Sequence, residues 1–336
     1  MEDKMLFVIG SPRSGSTMLQ RMIGSHSKIF THPEPHLMTP LAHLGYFHNV
    51  EKAPYDHINA AKATREFVDG LPHGEQDYVD ACRAYTDTLY GRMLSTNDQA
   101  AVFLDKTPAY ALITDFITRL YPQARYVALT RHPLAILSSF ANSFFEGDFQ
   151  AAYNFNPILD RYVPAIARFI RQQRDNTLHV RYEDAVSDPD THLRRIFEFV
   201  GLEHEPQAIQ YGDFDHIKKS YGDPKVEDNA RPVTASVDKW AVELANDPAK
   251  LALARSVISG LPPEDLDTWG YPIETLFDPL DQVRAGAAHD APARERLNAY
   301  RLQRKLLLKL RRNIHHNQLG KAVKAMRYYC DVLLRD

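Results

Sequence analysis

The run Gly10-Ser-Pro-Arg13-Ser14-Gly15-Ser16-Thr17 constrains this chain more than any other feature. It follows the apolar run Met5–Ile9 and precedes a stretch with Met18, Leu19, Met22 and Ile23 on one helical face. A strand that turns through glycines into a helix converges backbone N–H groups on one point, where the helix end adds about half a positive charge. Ser14, Ser16 and Thr17 add hydroxyl donors there, and Arg13 adds a permanent planar fork matched to phosphate or sulfate oxygens. The glycines keep the spacing of the nucleotide-hydrolase loop G-x-x-x-x-G-K-[ST]. Ser16, however, stands where that loop has its lysine, and the cation comes three residues earlier, at Arg13. A kinase or NTPase needs that lysine on the β- and γ-phosphates and a magnesium ligand beside it. A nucleotide with one 5′-phosphate capped by a sulfuryl group needs neither.

Three further apolar runs, Val102–Leu104, Tyr126–Thr130 and Leu178–Tyr182, read as buried strands, each followed by a helical pattern. Gly201 is placed to end the last of these helices. Such alternation predicts an α/β fold: a P-loop-type central parallel sheet flanked by helices, with ligands at the carboxyl ends of the strands. Residues 40–100 carry no strand signal and read as a helical insertion suited to an acceptor pocket. Residues 203–240, rich in Asp, Lys, Gly and Pro, read as a long loop region. The expected organisation is one α/β domain over residues 1–275 and a C-terminal helical extension over 276–336. In that extension Leu302, Leu306 and Leu310 alternate with Arg301, Arg304, Lys305, Lys309, Arg311 and Arg312.

The loop at Gly10–Thr17 resembles the 5′-phosphosulfate loop of sulfotransferases that use 3′-phosphoadenosine 5′-phosphosulfate (PAPS), in the arginine form of tyrosylprotein and many bacterial members. Tyr126-Val-Ala-Leu-Thr-Arg131-His-Pro, with Ser139 eight residues after the arginine, is similar to the family's 3′-phosphate motif. An arginine at a strand's carboxyl end and a serine in the next helix can grip a phosphate from two sides. Val180-Arg-Tyr182-Glu-Asp is similar to the family's Tyr-Glu-Asp strand, whose tyrosine lies near the adenosine. Arg231-Pro-Val-Thr-Ala-Ser236-Val-Asp-Lys239-Trp240 is similar to a late loop that covers the nucleotide. The resemblance implies PAPS as co-substrate and adenosine 3′,5′-bisphosphate as product, with no metal. It assigns Arg13, Ser14, Gly15, Ser16 and Thr17 to the 5′-phosphosulfate, and Arg131 and Ser139 to the 3′-phosphate. Tyr182, Ser236, Lys239 and Trp240 fall around the nucleoside.

Sulfuryl transfer needs a base for the acceptor hydroxyl and cations on the departing phosphate. Lys106, in Leu104-Asp-Lys106-Thr-Pro108, matches the lysine that relatives aim at the leaving oxygen, and Arg13 assists it. The catalytic histidine of the small-molecule enzymes would fall two residues later, where this chain has Pro108. Glu34 takes that role in this reading: it lies twenty-one residues after Arg13, the spacing of the catalytic glutamate in tyrosylprotein sulfotransferases, and sits between Pro33 and Pro35. His36 is the rival base. His32 and His132 read as packing or hydrogen-bonding groups, and Asp105 as a cap or an ion-pair partner that orients Lys106. Ser220 and Gly222-Asp-Pro-Lys225 are candidates to touch acceptor or sulfate.

The acceptor is a hydroxyl compound: a small molecule, lipid, polyketide or peptide. A net charge of -3 gives no general attraction for nucleic acid. The basic C-terminal helices either pack on the body through their leucines or meet an oligomer partner or an acidic membrane surface. Two distant cysteines fit a reducing compartment, and the short apolar start resembles no targeting segment, so a cytoplasmic protein is expected. The rival readings are a P-loop kinase or NTPase and a non-catalytic nucleotide-binding module.

Overall fold

Alternate residues of the opening strand pack on opposite sides of the sheet, and this divides the interior in two. Met5, Phe7 and Ile9 join one buried cluster, while Leu6 and Val8 join the other. All six residues of the strand are buried, as expected for a central parallel strand covered by helices on both faces. The computed structural model describes residues 1–44, 46–47, 56–214 and 229–285, together with Met326.

Five strands form one sheet: β1 (Met5–Gly10), β2 (Ile29–Pro33), β3 (Val102–Lys106), β4 (Arg125–Thr130) and β5 (Thr177–Arg181). Their order is β2-β3-β1-β4-β5 and every pairing is parallel. Helix α1 (Ser16–Gly24) leaves β1 through the glycine-rich turn. Between β2 and β3 lie α2 (Met38–Ala42), α3 (Asp56–Asp69) and α4 (Glu75–Leu94), so the expected insertion is helical. A 3₁₀ turn (Pro108–Leu112) and α5 (Thr114–Leu120) connect β3 to β4. Then come α6 (Pro133–Phe144), α7 (Phe149–Phe155), α8 (Ile158–Arg171) and, beyond β5, α9 (Tyr182–Ser187) and α10 (Pro189–Phe199). The last described helices are α11 (Lys239–Ala245), α12 (Pro248–Ser259), α13 (Pro263–Trp269) and α14 (Asp278–Ala285).

Three differences from the sequence reading bear on the site. Strand β2 was not expected, because Phe30-Thr-His-Pro33 is short, largely polar and only half-buried. It is an edge strand, which its composition suits. Gln20 of α1 holds it by donating to Thr31 Oγ1 (2.8 Å) and to the His32 carbonyl (3.2 Å). Its register pairs Pro33 with Lys106, so Glu34 emerges beside the end of β3. Second, Tyr182 opens helix α9 instead of ending β5. Third, Leu276 and Leu280, on the far side of the expected boundary at 275, are buried in the same cluster as Trp240 and Phe7. Ser220, Gly222, Lys225 and the basic segment from Arg301 to Arg312 lie outside the described residues. Among the described residues no helix is long and apolar enough to cross a membrane.

Candidate active site

The carboxyl ends of β1, β2, β3 and β4 lie side by side, so four stretches far apart in sequence meet above the glycine-rich turn. The turn closes with the Ser14 N–H donating to the Ser11 carbonyl (3.2 Å), and Leu19 N–H to Gly15 O (3.1 Å) begins α1. No acidic residue occupies the first turn of α1, which leaves its positive end available to an anion. Ser14 is fully buried and its Oγ has no hydrogen-bond partner among the described residues. Such an orphan is costly unless a ligand completes it. Gly15 has φ +87°, and a Cβ there would fall 2.3 Å from the Tyr182 ring. The loop approaches that ring as closely as only glycine permits.

Arg13, Glu34 and His36 all have positive φ, at 68°, 34° and 55°. This is the left-handed region that non-glycine residues seldom enter, at a cost of about 1–3 kcal/mol each. These three follow the carboxyl ends of β1 and β2, whereas the other two such residues described, Glu146 and Gln173, follow α6 and α8.

The sheet's register places Lys106 within reach of both neighbours. Its ammonium donates to Glu34 Oε1 (2.5 Å) and lies 3.4 Å from Thr17 Oγ1. The Lys106 side chain is 1% exposed and that of Glu34 16%. His36 Nε2 stands 3.9 Å from Glu34 Oε2. Asp105 is held by hydroxyls: its described hydrogen bonds go neither to a helix end nor to the Lys106 ammonium, whose charge nonetheless pulls its pKa down. Fully buried, it accepts hydrogen bonds from Tyr90 (2.6 Å), Tyr110 (3.1 Å) and Thr107 (3.0 Å). Burial raises its pKa to about 6, against the opposing pull of those three hydroxyls. With its oxygens committed to the core, Asp105 is poorly placed to serve a nucleotide-bound magnesium ion.

The other half of the site is tied to the first. Arg13 Nε donates to Ser139 Oγ (3.1 Å), and its guanidinium lies 5.8 Å from the Phe144 ring centre. Arg131 donates to the Arg13 carbonyl (3.1 Å) and to the Ser236 carbonyl (3.1 Å). It stacks 4.3 Å over Tyr182, and its buried Nε has no hydrogen-bond partner among the described residues. Tyr182 OH and Ser236 Oγ are hydrogen-bonded at 3.1 Å, which brings the late loop onto the cleft. Lys239 is exposed at the start of α11. Trp240 is instead 1% exposed and stacked on His132 at 4.1 Å, so its ring has no open face for a base.

His132 has the packing and hydrogen-bonding role expected of it. Its Nδ1 accepts from Leu134 N–H and caps α6, while its Nε2 donates to the Leu276 carbonyl (2.9 Å). Burial holds its pKa down at about 3, so it is neutral in the fold. The unfolded chain takes up this proton near pH 6.5, hence stability falls as pH drops from 6.5 toward 3. The expected slope is about 1.4 kcal/mol per pH unit. Denaturant titrations at pH 7, 6 and 5 should show a His132→Asn variant less pH-sensitive by that amount; parallel losses would refute the assignment.

Residues 6–206 match a family model described as "Sulfotransferase family". Among curated proteins, the chain is 27% identical over 262 residues to the nodulation protein NoeE of Sinorhizobium fredii (strain NBRC 101917 / NGR234), covering 71% of this chain and 60% of that protein. It is 21% identical over 251 residues to protein-tyrosine sulfotransferase A of Caenorhabditis elegans, covering 72% of this chain and 62% of that protein. The chain thus spans about 60% of the length of these two relatives. Among solved structures, it resembles the sulfotransferase domain from the Synechococcus PCC 7002 olefin synthase, with a TM-score of 0.50 and 27% identity over 70% of this chain and 86% of that one.

Proposed function

The chain belongs to the sulfotransferase family, and we propose that it transfers a sulfuryl group from PAPS to a hydroxyl acceptor. The observation that carries this reading is the ion pair between Lys106 and Glu34, set beside Thr17 at the edge of an anion-binding turn. One arrangement supplies both a base and a cation, the two groups this displacement needs. Bound PAPS supplies the sulfuryl group, whose S–O bond to the 5′-phosphate breaks as the acceptor oxygen bonds to sulfur.

The chain's own residues divide the remaining work. Glu34 receives the acceptor's proton. That uptake cancels its charge and frees the Lys106 ammonium to stabilise the oxygen that keeps the bonding electrons. Arg13 adds a second cation, and the Gly10–Thr17 turn with Ser14, Gly15, Ser16 and Thr17 holds the 5′ end. Arg131 and Ser139 take the 3′-phosphate. The hydrogen bonds from Arg131 to Arg13 and from Arg13 to Ser139 keep the two anion sites at a fixed spacing. Tyr182, Ser236 and Lys239 flank the nucleoside, while Trp240 supports that wall from below. The buried orphans Ser14 Oγ and Arg131 Nε fit such a ligand, since an anion would satisfy both. Ser16 in place of a Walker lysine, and the committed oxygens of Asp105, speak against a magnesium nucleotide.

Adenosine 3′,5′-bisphosphate at about one hundred times its Kd should stabilise the protein by about 2.7 kcal/mol, a rise of about 5 °C in Tm. ATP with magnesium at the same concentration should give a clearly smaller rise. Equal shifts by differential scanning fluorimetry would favour the NTPase reading, and no shift with either would remove the nucleotide site altogether.

A further inference from the structure

The arginine read as the 3′-phosphate ligand is held by a corner of the chain that lies beyond the family match. Helix α13 ends in a Schellman cap: Gly270 N–H donates to Asp267 O and Tyr271 N–H to Leu266 O, both at 2.9 Å. Gly270 takes φ +92°, which reverses the chain so that Trp269 and Tyr271, on either side of it, both reach the turn after β4. Trp269 Nε1 donates to the Arg131 carbonyl (2.8 Å) from a ring that is fully buried. Tyr271 OH donates to Glu183 Oε2, and Glu183 Oε1 accepts the His132 N–H (3.1 Å). Five residues on, the Leu276 carbonyl accepts from His132 Nε2 (2.9 Å). Trp269 and the Leu276 carbonyl thus bond the Arg131-His132 turn directly, and Tyr271 reaches it through Glu183.

Two faces of the Arg131 turn are thereby fixed from outside the cleft. The carbonyl of residue 131 and the amide and ring of residue 132 are hydrogen-bonded, so the Arg131 side chain starts from a determined direction. Tyr182 then holds the guanidinium from one face, and the Arg13 and Ser236 carbonyls take two of its nitrogens. A cation aimed this way loses little conformational freedom when it meets an anion, which raises affinity for that anion alone.

We propose that Trp269, Gly270 and Tyr271, acting with Glu183, are positioning residues for Arg131 and set the protein's preference for a nucleotide carrying a 3′-phosphate. The proposal rests on the reading of Arg131 as the 3′-phosphate ligand. The corner's own hydrogen bonds go to Arg131, His132 and Glu183, and the link onward to the glycine-rich turn is the Arg131 donation to the Arg13 carbonyl, so loss of the corner should be felt first at the 3′ end of the nucleotide.

Isothermal titration with adenosine 3′,5′-bisphosphate and with adenosine 5′-monophosphate separates the possibilities. The parent protein should prefer the bisphosphate strongly. Trp269→Phe keeps an aromatic ring but removes the donor to Arg131, and it should reduce the preference about tenfold or more while leaving 5′-monophosphate affinity within about twofold. Tyr271→Phe removes a single hydroxyl and should move the ratio in the same direction, which keeps the test valid if the tryptophan variant folds poorly. Parallel weakening of both ligands would mean that the corner is merely structural, and an unchanged ratio in both variants would also overturn the proposal. A parent protein that binds the two nucleotides equally would instead overturn the underlying reading of Arg131.

Discussion

Glu34→Gln is expected to lower turnover by about 10²–10⁴-fold while leaving the affinity for adenosine 3′,5′-bisphosphate within a few-fold of the parent value. Glutamine keeps the size and one acceptor oxygen, so it can still meet the Lys106 ammonium now 2.5 Å from the carboxylate. What it cannot do is take a proton from an incoming hydroxyl. Turnover is read as adenosine 3′,5′-bisphosphate released from PAPS with phenolic and aliphatic alcohols as acceptors. Undiminished turnover would shift the base role to His36, whose Nε2 stands 3.9 Å from the same carboxyl group. Glu34→Gly provides a second check. At φ 34° the glutamate is strained, and glycine relieves that strain. This variant should be inactive yet less destabilised than the loss of the ion pair alone would suggest, because strain relief of about 1–3 kcal/mol offsets part of it. Leaving Lys106 buried without its carboxylate works in the opposite sense. Melting curves of the two variants weigh these terms.

Gly15→Ala should abolish nucleotide-induced stabilisation. The added methyl group would fall 2.3 Å and 2.4 Å from two atoms of the Tyr182 ring, at a φ of +87° that alanine adopts only under strain. The loop cannot relax without moving Tyr182, and Tyr182 carries Arg131 on its face at 4.3 Å. One methyl group therefore disturbs both ends of the nucleotide site, and a loss of bisphosphate affinity of about 10²-fold or more is expected. The diagnostic result is a double-mutant cycle. Gly15→Ala with Tyr182→Ala removes the clash, so the pair should be more stable than the sum of the single losses, with coupling of about 0.5–3 kcal/mol. Strict additivity, or ligand shifts in Gly15→Ala that match the parent, would show that this close approach does not shape the site.

Both variants act where different stretches of chain meet, and the sequence reveals such places unevenly. The turn at Gly10–Thr17 was legible because its signal is local: an apolar strand, two glycines at fixed spacing, hydroxyls and an arginine within eight residues. Arg131, Ser139 and Tyr182 were legible through their position at strand ends and their resemblance to known motifs. The structure brings them to Arg13 and Ser236 through direct contacts. Trp240 shows the limit of that route. Its place in a motif suggested a nucleotide contact, yet its ring is buried against His132, since the core had the stronger claim on so large an apolar surface.

Local pattern alone determined the parallel α/β sheet, the glycine-rich strand-to-helix turn and the helical stretch before β3, because short apolar runs, glycines at fixed spacing and helical spacing are properties of a few adjacent residues. Only the tertiary structure decided that Phe30-Thr-His-Pro33 forms an edge strand, that Glu34 meets Lys106, that Asp105 is held by three hydroxyls, and that Trp269 and Tyr271 grip the Arg131 turn. Apart from Asp105, whose partners stand 2 to 15 positions away, these depend on strand register and on contacts between residues 72 to 138 positions apart, as for Glu34 with Lys106 and Arg131 with Trp269. A hydrogen bond across that distance leaves no periodic mark in the chain, since its energy belongs to the pair and arises only once the sheet has brought both partners together.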